Sequence, residues 1–332
     1  MFTPTLDLIK NAKHIVVVQA ENPDGDSLGS SLALEELLSD AGKDVTLYCA
    51  IDIPKYMQYI QGWDRVVKDW PRKADMAIIV DTSSQTLLVK TLKTPGVRHF
   101  FESHPTVVID HHQSEEGDLP FDTTKLIIPT AVATGEILYN LAVEAGWSIN
   151  PQAAEVLFIS IQADSLGLTT QNTTADSYRV AAELVKLGAV PSVIEGRRRE
   201  YMKKPADILA YKGRLIERVE YYLDGKLATV HIPWNEIEEF SDRYNPSVLV
   251  LDEMRLVDTV QIAIALKTYP DGKLTGKIRA NIPIGNTVAG FFGGGGHQYA
   301  SGFKIYENYD TLMKELINAT DKALKEYESA IS

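Results

Sequence analysis

Apolar residues fall into short unbroken runs separated by longer amphipathic stretches. Val16-Val17-Val18, Ala77-Ile78-Ile79-Val80 and Val107-Val108-Ile109 are such runs. They lack polar alternation and are bounded by polar residues, the pattern of strands buried on both faces. Between the first two, residues 28–41 place Leu28, Leu32, Leu34, Leu37 and Leu38 at helical spacing. Further helices are predicted over residues 131–145, from 151 towards 163, and through Leu187, where Thr173-Thr174 caps the start and Gly188 the end. Strand and helix thus alternate up to residue 188, which predicts an α/β domain with a mostly parallel, doubly wound sheet. The pattern changes at residues 189–205, where Pro191, Arg197-Arg198-Arg199 and Pro205 predict a linker. Over residues 206–330 two hairpins, turning at Asp224-Gly225 and Asp271-Gly272, predict a smaller α/β domain on a mixed sheet.

Each buried run stops at acidic residues. The first breaks into Asn22-Pro23-Asp24-Gly25-Asp26, the second into Asp81, the third into Asp110-His111-His112. Ligands bind outside the carboxyl ends of strands in open α/β sheets, and carboxylates are seldom buried unless paired or bound to metal. Asp24 and Asp26 sit at a strand-to-helix junction where Asp is also a common N-cap. Capping accounts for one of the two, not readily for both. Asp164 interrupts a helix in the same half of the chain. A set of Asp24, Asp26, Asp81, Asp110, His111, His112 and Asp164 suits a two-metal hydrolytic site for a phosphoryl group. Oxygen and imidazole donors favour Mn²⁺ or Mg²⁺, and no cysteine lies near to build a structural zinc site.

Gly293-Gly294-Gly295-Gly296-His297 forms a second constellation. Contiguous glycines expose backbone N–H groups that can turn toward an anion, although a glycine run is also what a flexible loop looks like. Arg279, on a predicted strand of the same domain, adds a bidentate phosphate donor. His14, His99, His104 and His231 are scattered and are expected to pack or face solvent.

Composition narrows the function. A length of 332 residues with 45% apolar and 23% charged residues suits two globular domains. The net charge of -12 argues against a protein that coats nucleic acid with a broad basic surface, while leaving short nucleotides open as substrates. One local exception lies between Arg197 and Arg218, where basic residues outnumber acidic ones; either a phosphate-attracting wall or a solvated helix face fits. A single cysteine, Cys49, fits a reducing compartment. No signal peptide and no apolar run of the roughly 18 residues needed to cross a bilayer is apparent. A cytoplasmic protein without membrane partners is expected.

The order and spacing of Asn22-Pro23-Asp24-Gly25-Asp26-Ser27-Leu28-Gly29-Ser30, Asp81, Asp110-His111-His112, Asp164 and the Gly293–His297 run resemble the DHH phosphoesterase family, including its DHH-associated C-terminal domain. The resemblance implies a catalytic metal-binding domain over residues 1–188 and a substrate-binding domain over 206–330, with the active site in the cleft between them. It implies that Asp24, Asp26, Asp81, His111 and Asp164 hold a manganese pair, with magnesium as the other acceptable ion. Asp110 and His112 would act beside His111 in catalysis. Arg279, Gly294, Gly295, Gly296 and His297 would bind substrate. The implied substrates are short RNA or DNA oligonucleotides or small nucleotides, such as 3′-phosphoadenosine 5′-phosphate or a linear dinucleotide, cut by two-metal activation of water. Relatives suggest a homodimer, although no apolar stripe demands one. One departure stands out: four residues before Asp24 the family usually carries a metal-ligating His, and here stands Ala20. Two rival readings follow, a nucleotide-binding regulator weakened in catalysis and a manganese-dependent inorganic pyrophosphatase.

Overall fold

The buried runs form the centre of a five-stranded sheet. Its strands are β1 (His14–Val18), β2 (Asp44–Tyr48), β3 (Met76–Val80), β4 (Thr106–Asp110) and β5 (Thr124–Ile127), in the order β2-β1-β3-β4-β5. Every neighbouring pair is parallel. This computed structural model describes residues 1–112, 118–241 and 244–331, the side chain of His297 excepted.

Strand geometry sends successive side chains to opposite faces, and here both faces are covered. Ile15, Val17, Ile78, Val80, Val107 and Ile109 point into one core, shared with Leu28, Leu32, Ile137 and Leu157. Val16, Val18, Ala77, Ile79 and Val108 point into the other, against Leu88, Phe100 and Phe101. The unit's helices are α1 (Thr3–Asn11), α2 (Gly25–Asp40), α3 (Val89–Lys93), α4 (Val97–Ser103), α5 (Thr134–Ala145), α6 (Pro151–Asp164), α7 (Ala175–Lys186) and α8 (Pro191–Tyr201). Each buried Val or Ile contributes about 1.5–3 kcal/mol relative to exposure, so strands with both faces covered anchor the unit. Their carboxyl ends are correspondingly rigid platforms. The chain leaves β1 towards β2 on one side, whereas β3, β4 and β5 progress to the other. That reversal between β1 and β3 is the topological switch point at which such sheets bind ligands.

Contacts within the chain divide it into Met1–Lys203 and Lys204–Ser332. The linker expected at residues 189–205 is therefore corrected: most of it is helix α8, whose Ile194 is buried in the first unit's core. Pro191 occupies the start of that helix, where its missing N–H removes no intrahelical bond. A helix start had the composition of a break. The basic stretch that follows is largely neutralised: Arg197 pairs with Glu155, Arg198 and Arg199 with Glu195, Lys203 with Glu200, Lys212 with Glu253 and Arg218 with Glu236. A phosphate-attracting wall is not what these side chains form.

The second unit is built on a mixed sheet in the order β10-β11-β9-β8-β7-β6. Its strands are β6 (Glu220–Tyr222), β7 (Leu227–Ile232), β8 (Ile262–Thr268), β9 (Lys273–Ala280), β10 (Gly295–His297) and β11 (Ala300–Tyr306). Only β7 and β8 pair in parallel. Helices α9 (Ala206–Glu217), α10 (Trp234–Phe240) and α11 (Pro246–Arg255) cover one face, α12 (Gly285–Phe291) and α13 (Tyr309–Ile331) the other. Among the described residues no helix is long and apolar enough to cross a membrane.

Candidate active site

The three strand-end acids converge at the switch point. Asp24 is the N-cap of α2: its Oδ1 accepts the backbone N–H groups of Asp26 (3.1 Å) and Ser27 (3.0 Å), and Ser27 Oγ accepts the Asp24 N–H in return. Capping thus explains Asp24 and leaves Asp26 to be explained. Asp26 is fully buried. It accepts the N–H groups of Thr134 (2.7 Å) and Gly135 (3.3 Å) at the start of α5, and the hydroxyls of Ser30 and Ser160. A helix N-terminus and two hydroxyls are what a buried carboxylate needs in place of water.

Two glycines permit this convergence. A Cβ on Gly29 would lie 2.7 Å from the Val156 carbonyl oxygen, and one on Gly135 would lie 2.0 Å from Ser160 Oγ. Helices α2, α5 and α6 therefore approach more closely than side chains would allow.

Asp81 follows β3 with φ of 60°, left-handed backbone that Asp tolerates better than most residues. Its Oδ1 accepts the Thr134 hydroxyl at 3.2 Å. Backbone of this kind at a strand end re-aims the side chain and marks functional positions. Asp110 closes β4, fully buried; one oxygen accepts the backbone N–H and the ring Nδ1–H of His112 at 3.1 and 2.7 Å, and Oδ2 has no partner among the described residues.

His111 lies between the acids. Its Nδ1–H donates to the Ala131 carbonyl at 3.3 Å. That fixes Nε2 at 3.0 Å from Asp164 Oδ2, 3.6 Å from Asp26 Oδ2 and 3.6 Å from Asp81 Oδ1. Nε2 is buried and, among the described residues, makes no well-formed hydrogen bond despite its closeness to Asp164. Two overlapping groups result, Asp26-His111-Asp164 and Asp81-His111-His112, each with its donor atoms within 4.8 Å of one another. At that separation two carboxylates repel by about 3.5 kcal/mol at an effective dielectric near 20.

The protonation equilibria record this crowding. Burial pushes Asp24, Asp26 and Asp81 up, and neighbouring carboxylates push each further, Asp81 most of the three. Burial alone would push His111 down, but Asp164 and Asp26 raise it to about 9. His112 is raised chiefly by its bond to Asp110. Asp110 runs the other way, burial being outweighed by the two imidazoles that lower it. A crowded cluster that favours extra protons, with a ring nitrogen and a carboxylate oxygen left without hydrogen bonds among the described residues, has the donor set of a divalent-cation site.

Asp24 is in neither group; its Oδ1 caps α2. Ala20 is buried and brings no ligand atom. Of its neighbours, Glu21 turns away to accept the Thr91 N–H at 2.7 Å, and Gln19 is buried with both amide atoms unpartnered. Thr134, Gly135 and Ser160, which hold Asp26, carried no signal in the sequence.

In the second unit, Arg279 and Lys277 alternate along β9 on the face away from the α12–α13 core. Lys277 is lowered by burial and by the Arg279 charge, and Lys267 by burial and by Lys277. Strand alternation two residues from Arg279 was the cue to Lys277. The glycine run is only partly the bare N–H array expected of it. Gly293 and Gly294 donate to the carbonyls of Gly290 and Ala289, and Gly295 and Gly296 belong to β10, paired with β11. A Cβ on Gly294 would lie 2.3 Å from the Gly302 carbonyl oxygen, so close packing accounts for part of the run. His297 ends β10; its side chain lies outside the described part of the chain.

Residues 14–161 match the model of the DHH family, N-terminal domain. A "probable bifunctional oligoribonuclease and PAP phosphatase NrnA" of Streptococcus mutans serotype c (strain ATCC 700610 / UA159) is 25% identical over 325 residues, 96% of this chain and 98% of the relative. A "bifunctional oligoribonuclease and PAP phosphatase NrnA" of Bacillus subtilis (strain 168) is 23% identical over 307 residues, 91% and 93% of the two chains. The crystal structure of an exopolyphosphatase-related protein from Bacteroides fragilis matches with a TM-score of 0.83 at 21% identity, covering 99% of this chain and 96% of that one. That likeness shows a shared fold across both units.

Proposed function

With residues 14–161 a DHH-family N-terminal domain, the chain is a phosphoesterase, and we propose that it hydrolyses short oligonucleotides and small nucleotides such as 3′-phosphoadenosine 5′-phosphate, with two divalent ions bound at the strand-end acids. The observation that carries this reading is the pair of donor groups sharing His111 at the switch point. The substrate class is supported by what two relatives along nearly the whole chain are called. The rival readings, regulator and pyrophosphatase, are not favoured by those relatives.

Asp26, His111 and Asp164 would hold one ion, and Asp81, with Asp24 at the edge, would contribute to a second. Manganese fits oxygen and imidazole donors, with magnesium the alternative. Such ions lower the pKa of water and stabilise charge on phosphoryl oxygens. The protein's part is to keep the acids in place: α5's N-terminus fixes Asp26, Thr134 fixes Asp81, and the Ala131 carbonyl fixes the ring of His111. His112 is half exposed and leans on Asp110, which holds a proton on its ring. It is placed to pass that proton to the leaving oxygen, as a general acid does. Arg279 and Lys277 would bind a phosphate of the substrate.

Metal uptake must displace protons. Asp24, Asp26, Asp81, His111 and His112 all have raised pKa values in the metal-free fold. They contribute stability at low pH that is lost as pH rises through those raised values. Asp110 acts oppositely, but only below the ordinary carboxylate range. The rise in melting temperature on adding Mn²⁺ is therefore expected to be larger near pH 8 than near pH 5.5, as differential scanning fluorimetry of chelator-stripped protein would show.

The substrate reading is tested by chromatography of the products from 3′-phosphoadenosine 5′-phosphate and from oligoribonucleotides two to about twenty long. Mononucleotide release should be fastest on the shortest chains. Equal rates on long polymer would refute a short-substrate enzyme.

A further inference from the structure

Asp26 presents two unequal oxygens. Oδ1 accepts the hydroxyls of Ser30 (3.0 Å) and Ser160 and the Gly135 N–H at 3.3 Å. Among the described residues Oδ2 accepts only the Thr134 N–H, at 2.7 Å, and it is the oxygen that stands 3.6 Å from His111 Nε2. A carboxylate oxygen offers about two lone-pair sites. Oδ1 is therefore saturated by the protein, while Oδ2 keeps a site open beside His111.

Ser160 differs from the other donors in where it stands. It is fully buried on α6, one helical turn before Asp164, so the two side chains share a face of that helix. Asp164 Oδ2 in turn lies 3.0 Å from His111 Nε2. The direction of the Ser160 hydroxyl is imposed on it. The Gly135 N–H, which can only donate, fills a lone pair of Oγ at 3.0 Å and leaves the O–H for Asp26. Helix α2, which carries Asp26, is thereby tied to α6, which carries Asp164. Ser30 lies four residues after Asp26 on α2 itself and moves with it.

We propose that Ser160 is a positioning residue for the ion held by Asp26, His111 and Asp164: it pins Asp26 Oδ1, so that Oδ2 alone is offered, and it fixes that oxygen relative to Asp164. The role rests on the two-ion reading above and adds what sets the spacing of two of its ligands. Partners that orient a ligating side chain without touching the metal are worth about ten- to a hundredfold in metal affinity. A hydroxyl that only replaced water around a buried carboxylate would be interchangeable with that of Ser30. A positioning hydroxyl is not, because it must reach Asp26 from the helix that bears the other carboxylate.

The test titrates Mn²⁺ into the chelator-stripped full chain and reads free Mn²⁺ by electron paramagnetic resonance, so that no turnover is needed. Wild type is compared with Ser160→Ala and Ser30→Ala, each of which removes one hydroxyl donor from the same oxygen. In Ser160→Ala one of the two ion sites should weaken about tenfold and the other keep its affinity. Ser30→Ala should weaken that site distinctly less. Ser160→Cys, whose thiol is a weaker donor, should fall between wild type and Ser160→Ala, and it carries the comparison if alanine unfolds the chain. Ser160 variants that melt lower yet bind Mn²⁺ as wild type does, or an equal loss of affinity in Ser30→Ala, would overturn the positioning role and leave the two-ion reading intact. Absence of Mn²⁺ uptake by wild type would overturn both.

Discussion

Asp81→Asn is expected to lower hydrolysis by about a thousandfold, which is about 4 kcal/mol of transition-state stabilisation, while raising the melting temperature of the metal-free protein. Asparagine is the informative replacement. It tolerates the left-handed backbone that Asp81 adopts, and its Oδ1 can still accept the Thr134 hydroxyl. What it removes is a negative charge that burial and Asp26, Asp24, Asp164 and Asp110 all disfavour. In the metal-free fold at neutral pH that charge is a liability, so its loss stabilises. With divalent ions bound the same charge is an asset, so its loss impairs both binding and chemistry. Thermal melts with and without Mn²⁺ check both halves: the variant should melt higher than wild type in chelator and gain little on adding metal. A variant that melts lower in chelator yet keeps full activity would place Asp81 in the scaffold.

His111→Ala should have the second large effect, on metal content. His111 belongs to both donor groups and is the only imidazole in the group with Asp26 and Asp164. Its Nδ1–H bond to Ala131 orients the ring, an arrangement by which outer partners fix a metal-ligating tautomer. Losing this ligand leaves two carboxylates to hold one ion by themselves. Elemental analysis after equilibration with Mn²⁺ and gel filtration should give about two ions per chain for wild type and about one for the variant. The activity loss should be at least as great as for Asp81→Asn. Equal metal content in the two proteins would remove His111 from the ligand set.

The sequence showed those parts of the site that local patterning encodes. A strand buried on both faces must be continuous and apolar, so the polar residues at which it stops are conspicuous: Asp24 and Asp26 after β1, Asp81 after β3, Asp110 to His112 at the end of β4. The groups that make Asp26 bearable when buried left no such trace. Thr134 and Ser160 lie 108 and 134 residues beyond Asp26, in helices that would form equally well with other small residues, and only the tertiary fold brings them to one carboxylate. Two cues misled for physical reasons. Pro191 opens a helix as well as it breaks one, which concealed α8. The Gly293–Gly296 run is partly a packing requirement, since Gly294 lies against the backbone of β11, where it looked like an open anion cradle.

The central claim is that hydrolysis occurs at metal ions held by strand-end acids. It is tested most directly by titrating Mn²⁺ into chelator-stripped protein and following mononucleotide release from a 5′-phosphorylated dinucleotide, wild type beside Asp81→Asn. No product should form in chelator, a saturable rise with Mn²⁺ is expected in wild type, and no comparable rise in the variant. Turnover that persists in EDTA, or that rises equally in both proteins, would contradict it.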